Sequence, residues 1–300
     1  MKKLLLVVGG ISAALVVGLL ILINTAPPLP EETDAIIEQV FSADIPELIT
    51  GVTGTAKSGD IEIWYEVINP AGPPKGTVLL IMGHSASALF WPEYFFRPLV
   101  EAGYRVIRYD NRGVGMSDWM NDGAKRYTLE DMARDALAVL DANGIEQAHV
   151  IGASMGGMIG QRLAISNGNR LLSLASIMST GYFDDPDLPG TPIAVFFNLT
   201  RYILKYAVWK TEEDMIRFNL GLLQLLQGNT DNPYDLVAFT QQVVYEMRRR
   251  RGYNHHVGRQ HTKAILASGS RYDELGIIKA PILIIHGRSD PIIPFAHALK

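Results

Sequence analysis

Apolar and polar positions follow two periods along this 300-residue chain. Ile61-Glu62-Ile63-Trp64-Tyr65-Glu66-Val67 alternates, the period-two mark of a half-exposed strand. The turn residues from Asn69 to Pro74 follow it and predict a hairpin edge leading into the next strand. Thr77 to Met82 and Val106 to Tyr109 read as short buried strands. Helix-length segments lie between and after them, Pro92 to Ala102 and Leu129 to Asn143. The run His149-Val150-Ile151 then reads as a strand and Met155 to Ser166 as a buried helix, and the sheet resumes at Pro281 to Gly287. This strand–helix rhythm predicts an α/β fold with a mostly parallel sheet covered by helices on both faces. Active residues in such a fold collect at the strand C-termini.

Over residues 181–272 the rhythm gives way to helical segments rich in Phe, Tyr, Leu and Met: Ile193 to Trp209, Glu212 to Leu226 and Tyr234 to Arg250. They predict a helical lid inserted into the sheet domain. Ahead of the domain, Glu31 to Phe41 predicts a short amphipathic helix. The N-terminus reads Met1-Lys2-Lys3 followed by an uncharged apolar stretch from Leu4 to Ile23, about the length that crosses a hydrocarbon core as a helix. A membrane anchor is expected over a cleaved signal, because the run is long and a proline follows Ala26. Lys2 and Lys3 before the span, against Glu31, Glu32 and Asp34 after it, orient the N-terminus to the cytoplasm and the body outside. Cleavage would instead give a secreted protein. The resulting division is 1–26 anchor or signal, 27–60 linker, 61–180 first part of the core, 181–272 lid and 273–300 second part of the core.

A composition of 48% hydrophobic and 19% charged residues is that of a globular domain, and a net charge of −4 offers no basic face for nucleic acid. No metal-ligand cluster or repeat stands out, no cofactor is expected, and the absence of cysteine means that no disulfide holds the domain. The run Arg248 to Arg251 reads as the solvated end of a helix.

The chemistry is concentrated in Gly152-Ala153-Ser154-Met155-Gly156-Gly157, directly after the His149 strand. A G-x-S-x-G sequence that closes a strand and opens a helix sets its serine hydroxyl above the sheet in a tight turn, a nucleophile elbow. The helix N-terminus behind it favours negative charge. Three further stretches end strands: Ile81-Met82-Gly83-His84-Ser85, Asp110-Asn111-Arg112-Gly113-Val114-Gly115-Met116-Ser117 and His286-Gly287-Arg288-Ser289-Asp290.

In this order the four motifs resemble the α/β-hydrolase fold family from about Ile61 to the end of the chain, and most of all its aclacinomycin methylesterase-like group. The resemblance implies Ser154 as nucleophile, Asp290 as the acid that orients a histidine, and the backbone N–H groups of His84 and Met155 as the oxyanion hole. It implies hydrolysis of an ester-like small molecule through an acyl-enzyme; amide, thioester and carbon–carbon bonds use the same machinery. Asp110 is the runner-up acid. Arg112, Gly113, Gly115 and Ser117 resemble the structural turn beside the elbow, and the His84 side chain reads as loop support. Phe90, Trp91 and Phe95 are candidates for an apolar substrate wall, with core packing the alternative.

One departure stands out. In the family the catalytic histidine follows the next strand after the acid, whereas this sequence reads Asp290-Pro291-Ile292-Ile293-Pro294 and stops at Lys300. His297 is too close to Asp290 to take that place, and His149 and His286 read as structural. The expectation is a sequence lacking its last strand, base and closing helix, with the Ile282 strand left as an open sheet edge. A nearly inactive chain would follow. The competing reading is a catalytically inactive membrane-anchored protein that binds an apolar ligand.

Overall fold

The computed structural model describes residues 17–120, 126–208, 211–227 and 234–300. Most of the apolar run expected to span a membrane, residues 4–16, lies outside the described residues. Residues 17–24 are helical, and among the described residues no helix is long and apolar enough to cross a membrane. The expected transmembrane helix is therefore not found there.

The chain divides into two compact units. The larger, Pro46–Gly190 with Tyr245–Lys300, holds a seven-stranded sheet of β1 (Val52–Ser58), β2 (Ile61–Ile68), β3 (Thr77–Ile81), β4 (Arg105–Tyr109), β5 (Ala148–Ala153), β6 (Leu171–Ile177) and β7 (Ile282–Ile285). The strand order is β1-β2-β4-β3-β5-β6-β7, antiparallel at β1/β2 and β2/β4 and parallel from β4 onward.

All five residues of β3 are buried, because helices cover both of its faces. Leu79 and Ile81 point to one side, where they join Ile63, Ile107, Tyr109 and the apolar faces of the helices Leu129–Ala142 and Met155–Ser166. Val78 and Leu80 point to the other, with Ile68, Val106 and, from the helix Glu93–Glu101, Phe96 and Val100. The period-two geometry of a strand thus turns one apolar run into two cores. The helix Leu129–Ala142 starts where Thr128 and Asp131 close a reciprocal capping box, which satisfies two otherwise orphaned N–H groups.

The structure differs from the sequence reading at the sheet margins. The hairpin joins β1 to β2 through Gly59 (φ 62°) and Asp60, whereas the Asn69–Pro74 turn leads from β2 to a strand paired with β4 and β5 instead. β1 falls within the stretch read as linker, while the short helix expected over Glu31 to Phe41 is present as Thr33–Ser42. β1 carries no alternation signal because Ala56 is its only buried residue, and pairing with β2 makes it a strand. β6 was also not foreseen, since serines at 173 and 176 interrupt its apolar pattern. Among the described residues β7 pairs with β6 alone, and its four apolar residues are between 43% and 59% exposed.

The smaller unit combines Thr191–Val244 with the described residues up to Ile45. Its helices are Thr33–Ser42, Ile193–Tyr202, Glu212–Gln227 and the first part of Leu236–Arg249, with a π-helical turn at Ile203–Ala207. Arg217 ties the first to the third, pairing with Asp34 and Glu213 at 3.0 Å each. Tyr202 is buried over Gly221, where a Cβ would meet its ring at 2.8 Å. This unit is narrower than the predicted 181–272 insertion. Residues 245–272, including the helix Val257–Ala267, group with the sheet because Ala264 and Ile265 enter its core and the Asn254 amide donates to the Gly113 carbonyl at 3.0 Å.

Candidate active site

Ser154 joins β5 to the helix Met155–Ser166 at φ 54°, ψ −121°, a backbone conformation that few non-glycine residues adopt. Two hydrogen bonds hold it there. Its N–H donates to the Ile177 carbonyl at 2.8 Å, and the Ser179 hydroxyl donates to its carbonyl at 2.8 Å. The flanking glycines are required by close approach. A Cβ on Gly152 would collide with the backbone of Gly156, and one on Gly156 with the Ile81 carbonyl at the end of β3. Between buried Ala153 and Met155, Ser154 keeps solvent contact. As first residue of the helix, Met155 has no carbonyl of that helix to receive its N–H.

The loop after β3 lies against this turn. The space of a Cβ on Gly83 is 3.1 Å from Ser154 Cβ and 3.6 Å from its Oγ, which brings Gly83 beside the hydroxyl. Three anchors fix the loop. The Asn111 amide donates to the Met82 carbonyl at 2.8 Å, the Ser85 N–H donates to His261 Nδ1 at 3.0 Å, and the Ala88 N–H donates to the Asp110 carboxylate at 2.8 Å. Ser85 itself sits at φ 59°. The His84 Nε2 lies 2.8 Å from the Gly258 carbonyl and 3.0 Å from the Thr262 hydroxyl. The protein packed around that ring lowers its pKa below the usual histidine value, although His84 as a residue retains exposed surface.

Asp290 follows β7, two strands from the elbow on the same C-terminal edge of the parallel sheet. One of its oxygens accepts from the Ile292 and Ile293 N–H groups at 2.8 and 2.9 Å, and the other lies 3.4 Å from His286 Nε2. Asp110 is engaged differently. It is fully buried, receives the Ala88 and Met116 N–H groups at 2.8 Å each, and forms an ion pair with Arg250. Arg250 also holds Glu246 at 2.9 Å, Glu246 accepts from Ser87 Oγ, and the guanidinium lies over the Trp64 ring at 4.5 Å. Arg248 and Arg249 do end the helix Leu236–Arg249 as exposed residues, whereas the Arg250 side chain is buried and Arg251 stacks on Trp119 at 4.5 Å. Arg112 forms a buried two-point pair with Asp135 at 2.6 Å, Gly113 and Gly115 take φ of 87° and 51°, and Ser117 Oγ donates to the Asp110 carbonyl at 2.7 Å.

Of the three aromatics proposed as a substrate wall, Trp91 is buried in the core cluster of Val78, Leu80 and Ala153. Phe95 lies against it with ring centroids 4.7 Å apart. Phe90 is half-buried on the same loop.

The histidine rings are largely committed. His149 bonds Ser173 at 2.8 Å, His286 the Ile293 carbonyl at 2.7 Å, and His297 both Thr180 at 2.9 Å and the Pro189 carbonyl at 3.1 Å. His261, placed in the lid by sequence, belongs to the sheet unit and reaches Ser85 of the loop after β3. Neither His261 nor Arg250 carried a local signal, because their partners lie far away in the chain.

Comparison with known proteins agrees with this geometry. A family model described as alpha/beta hydrolase fold matches residues 76–300. Rhodomycin D methylesterase DnrP of Streptomyces peucetius is 31% identical over 253 residues, 80% of this chain and 83% of that protein. The 2-hydroxy-6-oxo-6-phenylhexa-2,4-dienoate hydrolase of Comamonas testosteroni is 30% identical, with 77% of each chain covered. The crystal structure of an esterase from Exiguobacterium antarcticum shares the fold with a TM-score of 0.62 at 23% identity, over 83% of this chain and 85% of that one. With its elbow, parallel sheet and hydrolase relatives, the chain belongs to the alpha/beta hydrolase fold family.

Proposed function

We propose that the protein is a serine hydrolase that cleaves a carboxylic ester or a related acyl bond through an acyl-enzyme on Ser154. The observation that carries this reading is the strained, solvent-accessible Ser154 at a helix N-terminus, with Gly83 of the loop after β3 against its side chain. Attack of Oγ on the carbonyl carbon develops charge on the carbonyl oxygen, and the N–H groups of His84 and Met155 are the donors for it. One such donor contributes about 3–4 kcal/mol to the transition state. Asp290 then serves to orient the imidazolium that carries the serine proton. That imidazole is not supplied by the rings of His84, His149, His261, His286 or His297 as they are bonded here. The methylesterase relative supports an ester-type small-molecule substrate. Ser154→Ala in the native full-length protein is expected to lower turnover of p-nitrophenyl butyrate by at least about a thousandfold at unchanged melting temperature. Unchanged turnover would refute the assignment.

The commitment of these rings favours one second reading, a catalytically inactive protein that holds an apolar ligand. An active native protein rules it out.

For location, we propose a membrane-anchored domain facing away from the cytoplasm. The uncharged run from Leu4 to Ile23 behind Lys2 and Lys3 supports this, as do the exposed side chains of Val17, Leu20 and Ile21. The native protein is then expected in the membrane fraction after an alkaline carbonate wash, and recovery in the wash would contradict anchoring.

A further inference from the structure

The oxyanion loop has an unusual mainstay. His261 lies on the helix Val257–Ala267, is fully buried, and makes two backbone hydrogen bonds. Its Nδ1 accepts from the Ser85 N–H at 3.0 Å, which requires that nitrogen to be unprotonated. Its Nε2, 2.9 Å from the Arg112 carbonyl, then carries the proton and donates it. Both bonds therefore demand a single state, the neutral Nε2–H tautomer. The groups facing the ring are the His84 ring at 5.7 Å, the Tyr127 ring at 6.2 Å and the backbone of Arg112, whose guanidinium is held by Asp135. Burial first, and the neighbouring His84 second, push its pKa down to about 3, in keeping with that state.

Three consecutive peptide units explain what the bond does. The Met82–Gly83 unit is pinned through its carbonyl by Asn111, and the His84–Ser85 unit through its N–H by His261. The unit between them, Gly83–His84, carries the N–H that would meet the oxyanion, and its first residue, Gly83, lies against Ser154. With both neighbours held, its two flanking torsions have little freedom. Release of the Ser85 end would free the positive-φ residue that fixes the loop direction.

We infer that His261 is a positioning residue of the oxyanion hole: its neutral ring orients the Gly83–His84 peptide so that the His84 N–H is aimed at the developing oxyanion on a substrate bound to Ser154. This rests on the acyl-transfer reading above. The ring touches no substrate and acts through Ser85.

The test uses the native full-length protein and two variants. His261→Leu removes both hydrogen bonds at similar volume, whereas His261→Gln offers an amide oxygen to the Ser85 N–H and an amide N–H to the Arg112 carbonyl. With p-nitrophenyl butyrate, His261→Leu is expected to lose about a hundredfold in kcat with KM changed less than about threefold. His261→Gln should recover to within about tenfold of the parent. Loss that follows only the folded fraction, or that falls on KM, would overturn the inference. A measurement on the parent keeps it falsifiable if the leucine variant does not fold: 15N spectra of labelled histidine should show one ring fixed as the Nε2–H tautomer from pH 8 to 5. No such ring, or only rings titrating near 6.5, would also overturn it. A folded parent that does not turn over p-nitrophenyl butyrate would instead remove the hydrolase reading, so the two failures are distinguishable.

Discussion

Replacing Arg250 with methionine is expected to lower the unfolding free energy by about 3–5 kcal/mol, because it leaves buried carboxylates without their counter-charge. Arg250 sits between Asp110 and Glu246, and the three side chains are 1%, 0% and 2% exposed. The Asp110 carboxylate keeps its two backbone donors after the substitution, whereas Glu246 keeps only Ser87. Burial already pushes the Glu246 carboxyl up, and loss of Arg250 removes the largest opposing influence. A carboxyl whose folded pKa exceeds its unfolded value binds a proton preferentially in the folded state, so the deficit of the variant should narrow as pH falls from 7.5 to 5. Urea unfolding of parent and variant at both pH values checks this. A deficit below about 1 kcal/mol at pH 7.5 would show that the cluster is not the buried ion network described above. The same network holds Ser87 and Ala88 at the end of the oxyanion loop, so turnover should fall with it.

Acid should destabilise the fold through His261. The folded pKa of about 3 lies below the ordinary value of 6.5, so the unfolded chain binds the proton more readily. The contribution is complete above pH 6.5, is lost as pH falls, and is gone near 3. Over that interval the gap corresponds to about 5 kcal/mol. Other groups also titrate there, and the His261→Gln variant isolates this one. Plotted as unfolding free energy against pH, its slope between 6 and 4 should be shallower than the parent's by nearly one proton. Parallel curves would mean that His261 is protonated in the folded protein, incompatible with its acceptance from Ser85.

The parts of the fold legible in the sequence are those whose burial is local. β3 is legible because helices cover both of its faces and all five residues are buried, and β4 and β5 beside it are legible from the apolar pairs Val106-Ile107 and Val150-Ile151. The elbow was legible because its glycines answer short-range collisions, with Gly156 itself and with the strand end at Ile81. Legibility failed where a residue takes its state from a distant partner. Ala56 alone marks β1 as a strand, and antiparallel pairing with β2 does the rest. Four consecutive arginines look like a charged helix end, yet Arg250 meets Asp110 from 140 positions away. His261 likewise looks like one more helix residue until the Ser85 N–H, 176 positions away, arrives at its ring. Charge and hydrogen-bond partners set at that range leave no periodicity to read. Trp91 and Phe95 show the converse, since their aromatic character signals burial but not whether core or substrate provides it.

The most direct measurement is fluorophosphonate labelling of the native protein in extracts of its source cells, read by intact mass and by peptide mapping. Such a probe reacts with an activated serine. A single adduct on Ser154, absent from Ser154→Ala, is the predicted result and places the acyl-transfer nucleophile at the elbow. A folded native protein that takes up no probe, or takes it up at another serine, would contradict the assignment.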